Sequence, residues 1–221
     1  MYDTVIFDMD GTLLDTLEDL ADAVNAALAH FGYPQRTLEE VRAFVGNGVR
    51  LLMIRALPGG EENPDFEAAL DWFRAYYRDH ADVKTGPYPG LTDLVEQLKA
   101  RGFRMAIVSN KFQDAVAALS GRYFGDLLPV AIGENEAAGI RKKPAPDTVD
   151  QALRLLGSSR ERAVYIGDSE VDAATAENAG MPCILVSWGF RDRALLETFS
   201  PLLIADKPVQ ILNFLTASDR P

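Results

Sequence analysis

The sequence predicts an α/β protein built on a doubly wound parallel sheet, with an all-helical domain inserted into it. Short apolar, β-branched runs alternate along the chain with segments of helical periodicity, and this alternation is typical of a parallel sheet with helices on both faces. After the first such run, a long stretch contains helical patterns and no convincing strand. A chain of 221 residues that is 48% hydrophobic is long enough for one good core and a smaller second one.

The predicted strands are five apolar runs and a sixth, shorter candidate. Helical patterns connect them, and two end at a glycine: Leu91 to Leu98 before Gly102, and Val149 to Leu156 before Gly157. Glycine favours such ends because it readily adopts the left-handed conformation that closes a helix. The strand candidates, in chain order, are TVIFD, FRMAIVSN, PVAIG, AVYIGD, CILVS and LLIAD, and the helical pattern VQILNFL follows the last.

The stretch between the first and second strands is predicted to be a helical insertion. Apolar residues recur there at the spacing of a helix face, and Thr37 with Glu40 has the pattern of a capping box. The expected domains are therefore a helical cap domain, 16–82, and an α/β core domain formed by 1–15 and 83–221.

Composition and charge exclude several classes of partner. A formal charge of −11 argues against nucleic acid, whose phosphates require a basic surface. No run approaches the roughly 20 apolar residues that span a bilayer. The first acid occurs at Asp3, without a basic leader before it, so a cytoplasmic location is expected. We expect a monomer or a homodimer. Because the protein is acidic, binding of a phosphate group would require a cation.

Two acids at the end of the first strand indicate a site. Asp8 and Asp10 stand two residues apart, so on an extended chain their side chains point the same way. Carboxylates held together repel unless a cation lies between them or one of them keeps a proton. Either arrangement is more typical of a functional site than of a scaffold.

Polar residues also follow the other predicted strands. In a doubly wound sheet, ligands bind outside the carboxyl ends of the strands, so these residues are expected to converge. Carboxylate and carbonyl oxygens suit Mg²⁺, whereas lysine, hydroxyl and backbone N–H groups suit a phosphoryl group. His30 and His80 both fall in the insertion, which disfavours zinc. The residues after the strands are Asp8, Asp10, Gly11 and Thr12; Ser109, Asn110 and Lys111; Glu134, Lys142 and Lys143; and Gly167, Asp168, Ser169 and Asp172.

Four segments resemble, in order, the motifs of the haloacid dehalogenase superfamily. They are DMDGT at 8–12, VSN at 108–110, KP at 143–144 and GDSEVD at 167–172. The resemblance implies that Asp8 attacks phosphorus and forms an aspartyl phosphate, which splits hydrolysis into two easier steps. It also implies that Asp10 protonates the leaving alcohol and later takes a proton from water.

The resemblance assigns roles to the remaining motif residues. Gly11 lets the backbone approach the substrate, Asn110 belongs to the phosphate-binding set, and Asp172 orients the metal site or Lys143. Mg²⁺ is the implied cofactor, and it would relieve the repulsion between the acids. The implied metal ligands are Asp8, the backbone carbonyl of Asp10, and Asp168. The groups implied to hold the transferring oxygens are Thr12, Ser109 and Lys143.

The inserted domain resembles the helical caps that close over small substrates in this superfamily. Its segment VGNGVRLLMIRAL, residues 45–57, is similar to the cap segment of phosphoglycolate phosphatases, which implies that Gly48 brings backbone amides to the substrate. Arg50 and Arg55 are carboxylate anchors or surface charges. The implied function is a magnesium-dependent phosphatase acting on a small phosphorylated metabolite, a phosphomonoester of the phosphoglycolate type, through an aspartyl phosphate.

Several related activities stay open on the same scaffold. Pyrophosphatase, sugar-phosphatase and β-phosphoglucomutase-like activities are alternatives, although Leu20 stands where the sugar-phosphate mutases carry a histidine. A Schiff-base phosphonoacetaldehyde hydrolase is disfavoured, because the first lysine is Lys84, beyond the predicted cap. A more distant alternative is a non-catalytic protein that binds phosphometabolites, but each catalytic residue of the motifs is present.

Overall fold

The computed structural model describes residues 2–135 and 139–217, which form two compact units. One comprises Met1–Leu14 and Pro87–Pro221, and the other, which is helical, comprises Asp15–Gly86. The helical unit thus begins one residue before the boundary expected from the sequence and, with its return segment, ends four residues beyond it. The reason is Asp19, whose buried carboxylate accepts hydrogen bonds from the backbone N–H groups of Lys84 and Thr85 at 2.8 to 3.0 Å.

The described residues form eight strands and ten α-helices. The strands are β1 (Thr4–Phe7), β2 (Leu14–Asp15), β3 (Gly86–Pro87), β4 (Arg104–Phe112), β5 (Val130–Glu134), β6 (Ala163–Gly167), β7 (Cys183–Val186) and β8 (Leu203–Ala205). The helices are α1 (Leu17–His30), α2 (Leu38–Phe44), α3 (Val49–Ala56), α4 (Phe66–His80), α5 (Leu91–Ala100), α6 (Gln113–Tyr123), α7 (Asp147–Leu156), α8 (Glu170–Asn178), α9 (Arg193–Glu197) and α10 (Pro208–Thr216).

Six of the strands form one parallel sheet in the order β5-β4-β1-β6-β7-β8. All six predicted strands are therefore confirmed, as is the doubly wound α/β class. Helices connect them as parallel crossovers require. The order places β1 between β4 and β6, so the carboxyl ends of three motif-bearing strands are neighbours.

Alternating strand residues build one apolar core on each face of the sheet. Val5 and Phe7 of β1 pack in a cluster with residues of α5 and α10, whereas Ile6 packs in a second cluster with residues of α7. This follows from the period of two in a strand, which sends successive side chains to opposite faces. Because both faces are covered, the strands are apolar at nearly every position, and polar groups collect at their ends.

The helical unit is built from α1 to α4, whose buried residues are mostly apolar. The predicted capping box is confirmed at the start of α2: Glu40 N donates to Thr37 Oγ1 at 3.2 Å, and Thr37 N donates to Glu40 Oε2 at 2.8 Å. Among the described residues of both units, none of the helices combines the length and the apolar character needed to cross a bilayer.

Candidate active site

The acids of the first motif lie at the carboxyl end of β1, in the middle of the sheet. Asp8 follows the strand directly, and its N–H donates to the carbonyl of Ile166 in β6 at 2.8 Å. This bond fixes the backbone at the point where the Asp8 side chain leaves it. Asp8 is 7% exposed, so its carboxylate is largely withdrawn from bulk water.

The end of β4 holds the backbone of Lys143. The side-chain amide of Asn110 donates to the Lys143 carbonyl at 3.1 Å and accepts from the Lys143 N–H at 2.8 Å, all within buried surroundings. An amide matches both backbone groups at once because it carries a donor and an acceptor side by side. Asn110 therefore positions Lys143. Its predicted contact with a phosphoryl group stays a prediction.

The ammonium group of Lys143 lies between two carboxylates. Its Nζ is 2.7 Å from Asp8 Oδ1 and 2.8 Å from Asp172 Oδ1, and it donates to the Tyr165 hydroxyl at 3.2 Å. Burial alone lowers the pKa of Lys143, but the attraction of Asp172 and Asp8 outweighs it, and the pKa lies above its usual value. Lys143 is thus a fixed positive charge beside the carboxylate predicted to attack phosphorus.

Asp172 is the organising carboxylate of this network. It is fully buried, and its Oδ1 accepts from both Lys143 and the Tyr165 hydroxyl. Its Oδ2 accepts from the N–H and the hydroxyl of Ser169, at 3.1 and 2.6 Å, and from the N–H of Asp168 at 3.2 Å. Asp172 therefore contacts both Lys143 and the turn that carries Asp168, and its predicted orienting role stays a prediction.

Asp168 lies against the first motif. A Cβ placed on Gly11, which has a φ of +83°, would lie 2.4 Å from Asp168 Oδ2, so only glycine fits between them. The same oxygen accepts from the N–H of Phe190 at 2.6 Å. Burial, and then the charges of Asp172 and Asp8, raise the pKa of Asp168 well above its usual range.

The pKa of Asp8 is raised in the same way. Burial is the largest cause and the charge of Asp172 the next, while Lys143 acts in the opposite direction; together they raise the pKa of Asp8 to about 7. Two neighbouring carboxyl groups thus resist ionisation although a lysine is in contact with one of them. Positive charge placed next to them would favour their ionised forms.

A divalent cation fits this charge distribution. Oxygens of Asp8, Asp168 and Asp172 lie within 4.8 Å of one another. Both oxygens of Asp172 already accept hydrogen bonds, and the coordinating role of Asp8 and Asp168 stays a prediction. The charged groups that contact one another around Asp8 and Asp168 are Asp8, Asp10, Asp168, Asp172, Lys111 and Lys143; the neighbouring Arg191 and Glu170 pair with each other and add no net charge. When all are ionised, the carboxylates exceed the ammonium groups by two charges, which one hard divalent cation balances.

Asp10, Ser109 and Lys111 form a second contact group at the rim. Lys111 is 4% exposed, and its Nζ lies 2.8 Å from Asp10 Oδ1. Ser109 Oγ donates to Asp10 Oδ2 at 3.4 Å and accepts from the N–H of Lys111 at 3.1 Å. The carboxylate predicted to act as acid and base is therefore held on one side by a buried cation and on the other by a hydroxyl.

Thr12, the last residue of the first motif, is fully buried. Its hydroxyl has no hydrogen-bond partner among the described residues, and its predicted contact with transferring oxygens stays a prediction. Its carbonyl accepts from the indole N–H of Trp188 at 3.0 Å. The turn after β1 is thus tied to the segment that follows β7.

Gly48, predicted to contact the substrate, lies in the helical unit immediately before α3. Its φ of +84° is a conformation that favours glycine. The two arginines nearby are engaged within that unit. Arg50 pairs with Glu61 and Glu67 at 2.6 and 2.7 Å, and Arg55 donates to the carbonyl of Phe44 at 2.7 Å. These contacts favour the reading of both arginines as structural charges.

Sequence reasoning assigned no role to several residues of the rim. The sequence placed Lys111 at the end of its strand but did not predict its contact with Asp10. A lysine that directly continues an apolar strand was the feature that could have indicated such a contact. Tyr165 stands inside a buried strand, where a hydroxyl needs a partner. The segment after β7 contains no acid next to its strand, and nothing in its sequence pointed to Asp168.

The residues of the four motifs lie within the part of the chain that is similar to known proteins. A sequence model of a family described as haloacid dehalogenase-like hydrolase matches residues 5–186, which include all four motifs. Phosphoglycolate phosphatase 1 of Pseudomonas aeruginosa is 36% identical over 217 residues, covering 91% of this chain and 75% of that protein. A crystal structure of a candidate phosphoglycolate phosphatase from Lactobacillus delbrueckii subsp. bulgaricus has a TM-score of 0.91 at 36% identity, covering 97% of this chain and 98% of that one. CbbY from Rhodobacter sphaeroides, solved in complex with phosphate, has a TM-score of 0.74 at 27% identity and 96% coverage of each chain.

Proposed function

The chain belongs to the haloacid dehalogenase-like hydrolase family, and from this premise we propose that it is a magnesium-dependent phosphatase. Its substrate is a small phosphomonoester of the phosphoglycolate type, and the reaction passes through a phosphorylated Asp8. The observation that carries the proposal is the contact of Lys143 Nζ with Asp8 at 2.7 Å, in a buried rim that also contains Asp168. A fixed cation beside a nucleophilic carboxylate is what the transfer of an anionic phosphoryl group requires.

The first half of the reaction moves the phosphoryl group to the enzyme. An Asp8 carboxylate oxygen forms a bond to phosphorus while the bond from phosphorus to the leaving oxygen breaks. Asp10 gives its proton to that oxygen, so the product leaves as a neutral alcohol. Lys143 stays charged throughout, because Asp172 and Asp8 raise its pKa, and it stabilises the oxygens in transit.

The second half releases inorganic phosphate. Asp10, now ionised, takes a proton from a water molecule, whose oxygen attacks phosphorus and breaks its bond to Asp8. Phosphate departs, and Asp8 is again a carboxylate while Asp10 is again protonated. Lys111 and Ser109 hold Asp10 in one orientation during both halves, through contacts of 2.8 and 3.4 Å.

Asp8 and Asp168 are the side chains that would hold Mg²⁺, with the backbone carbonyl of Asp10 as the third group implied by the family motif. When bound, the ion supplies charge neutralisation, which lets the anionic substrate approach the acids. Burial, and then the charge of Asp172, raise the pKa values of Asp8 and Asp168, and a cation bound between these carboxyls would favour their ionised forms, which supports this role.

The substrate class rests on the relatives. The Pseudomonas aeruginosa protein named phosphoglycolate phosphatase 1 is 36% identical to this chain across 91% of its length. The phosphate in the CbbY crystal structure supports the view that this scaffold accepts a phosphate group. Pyrophosphates, sugar phosphates and the reaction of β-phosphoglucomutase are the competing chemistries to be measured alongside.

The direct test is phosphate release from a panel of substrates. Purified protein treated with a chelator and dialysed should be inactive towards phosphoglycolate and p-nitrophenyl phosphate, and added Mg²⁺ should restore both activities. Phosphoglycolate should have a higher kcat/KM than hexose phosphates and pyrophosphate. Full activity in excess chelator would refute the metal dependence, and a preference for another member of the panel would replace the substrate.

The intermediate has its own test. Asp10→Asn should slow turnover by roughly 10²- to 10⁴-fold, because general acid–base catalysis contributes that much. If dephosphorylation is slowed more than phosphorylation, a phosphoryl group should accumulate on the variant and be located on Asp8 by mass spectrometry after rapid acid quench. The double variant with Asp8→Asn is the control and should carry none. Normal turnover of Asp10→Asn would remove this residue from the mechanism.

A further inference from the structure

The loop that follows β7, residues 187–192, contacts two motifs of the rim although it lies beyond residues 5–186, which the family model matches. Trp188 Nε1 donates to the carbonyl of Thr12 at 3.0 Å, and the N–H of Phe190 donates to Asp168 Oδ2 at 2.6 Å. The residue between them, Gly189, lies where the two motifs meet. A single short segment thus reaches both the turn after β1 and the turn after β6.

Gly189 fits this place because it has no side chain. A Cβ there would lie 2.4 Å from the Gly11 carbonyl oxygen, 2.4 Å from Asp168 Cβ and 2.5 Å from Asp168 Oδ2. Two of these atoms belong to Asp168 and the third is backbone, so a methyl group would have to displace the acid or the turn. The loop is held in turn by Arg191, which forms a two-pronged ion pair with Glu170 at 2.7 and 3.1 Å.

We infer that this loop positions Asp168 for metal binding, with Gly189 as the residue that sets the distance between Asp168 and the first motif. The inference rests on the proposed function in one respect, namely that Asp168 is a metal ligand. One carboxylate oxygen of Asp168 accepts from the loop, which fixes the rotation of the carboxylate. Groups that orient a ligand in this way typically change metal affinity by about 10- to 100-fold when they are removed.

Removal of the Arg191 charge should change the metal affinity in opposite directions under two explanations, electrostatic repulsion and positioning of Asp168. A substitution at Arg191 therefore distinguishes between them. The Arg191 side chain is 11% exposed and pairs with Glu170, two residues after Asp168, so its charge lies close to the predicted metal site. A positive charge near a cation site repels the cation, so its removal should tighten metal binding if only charge matters. If the loop positions Asp168, removal should weaken binding instead, because the tie to Glu170 is lost.

The experiment measures Mn²⁺ binding to the metal-free protein by electron paramagnetic resonance, together with thermal unfolding. Gly189→Ala should raise the Kd for Mn²⁺ by at least about tenfold, and Arg191→Met should raise it several-fold. Gly121→Ala is the matched control: it adds the same methyl group in α6, where a Cβ would meet nothing within 4 Å, and it should leave the Kd unchanged. In turnover, Gly189→Ala should need more Mg²⁺ yet approach the wild-type kcat at saturation.

The outcomes separate this inference from the proposed function. If the wild-type protein binds no Mn²⁺, the metal-dependent function falls, and this inference with it. If the wild type binds and a folded Gly189→Ala binds within about twofold of it, the positioning role is wrong. Should Gly189→Ala fail to fold, Arg191→Met decides: an unchanged or tighter Kd overturns the inference, and a weaker one supports it.

Discussion

The charged residues of the two units differ in what surrounds their ion pairs. In the α/β unit, Lys111 and Lys143 are 4% and 3% exposed, and each contacts an acid of the first motif. In the helical unit, Arg50 has a similar pair of acidic partners, but its side chain is 40% exposed and those of Glu61 and Glu67 are 58% and 69% exposed. Distances of 2.6 to 2.8 Å occur in both places, so contact distance does not distinguish them.

Burial makes the difference between the two sets. An exposed pair is screened by water and salt and contributes little. A buried lysine must be fully compensated, because removing one partner leaves an uncompensated charge in a poorly polarisable environment. A buried charged side chain at a strand end is therefore a candidate for a role in catalysis, whereas an exposed ion pair on a helix surface does not indicate a function. Substitutions in the two units should therefore differ in kind, and four of them test this in order of expected effect.

The largest effect is expected for Asp8→Asn. An amide neither attacks phosphorus nor replaces a carboxylate at the metal, so turnover should be abolished. Burial and Asp172 raise the pKa of Asp8 in the folded protein to about 7, above the pKa of this carboxyl in the unfolded chain. As the pH rises from the unfolded-state pKa to 7, the unfolded chain loses this proton more readily, so the free energy of unfolding falls. At pH 8 this loss of stability is fully present. Lys143 keeps Asp172 as its partner in this variant, so the metal-free variant should melt at or above the wild-type temperature at pH 8.

Asp147→Asn is the matched control for that substitution. Asp147 lies outside the rim and pairs with Arg141, whose side chain is 72% exposed. This variant should keep wild-type turnover. Activity of Asp8→Asn within about tenfold of the wild type would contradict the assignment of the nucleophile.

The next effect is expected for Lys111→Met. Methionine keeps much of the side-chain length but leaves Asp10 without the ammonium group 2.8 Å away. The carboxylate then rotates more freely, and misplacement by about 1 Å can cost about 10²-fold in rate. We expect kcat to fall while KM changes little, and Lys111→Arg to recover part of the loss. A change in melting temperature with unaltered kcat would make Lys111 a purely structural residue.

The sequence predicted where the rim residues lie along the chain better than it predicted which way their side chains point. The strands β1, β4 and β6 were identified because buried parallel strands are continuously apolar and the polar residues near their ends are conspicuous. Ser109, Asn110 and Lys111 were expected after their strand but lie within β4, which continues to Phe112. Whether Lys111 turns towards Asp10 depends on the local backbone, which periodicity does not encode. Polar residues near the ends of apolar runs were enough to predict the location of the rim. The contacts of each side chain became known only from the hydrogen bonds in the structure.

The loop after β7 was not predicted for a different reason. Gly189 and Phe190 act through a missing Cβ and a backbone N–H, which every residue but proline possesses. Composition carries no sign of such contacts. Asn110 is a related case: its amide was predicted to contact phosphate, and the contacts in the structure are with the backbone of Lys143.

A smaller, selective effect is expected for Gly48→Ala in the helical unit. If Gly48 contacts the substrate, as its segment implies, this variant should raise KM for phosphoglycolate more than for p-nitrophenyl phosphate. Gly32→Ala is the matched control, because Gly32 also has a positive φ, of +75°, and a Cβ there would meet nothing within 4 Å. Both variants place a non-glycine residue at positive φ; at Gly48, where ψ is 167°, the backbone lies in a region that almost only glycine adopts, at a cost of about 1 to 3 kcal/mol, so the comparison uses the ratio of KM values for the two substrates. Equal behaviour of the two would leave specificity to other residues.

The smallest effect is expected for Arg50→Met, which tests the exposed end of the comparison. Arg50 was a candidate anchor for a substrate carboxylate, but its guanidinium contacts Glu61 and Glu67 and lies 4.8 Å from the centre of the Phe66 ring. Methionine keeps the aliphatic part of the side chain and removes the guanidinium, with its ion pairs and its contact with the Phe66 ring. We expect kcat/KM for phosphoglycolate and for p-nitrophenyl phosphate to stay at wild-type values. The melting temperature should drop slightly at low ionic strength and match the wild type at about 1 M salt, where the Debye length falls to about 3 Å. A selective loss on phosphoglycolate would instead show that Arg50 exchanges its two glutamates for the substrate, and burial would then be a poor guide to function in the helical unit.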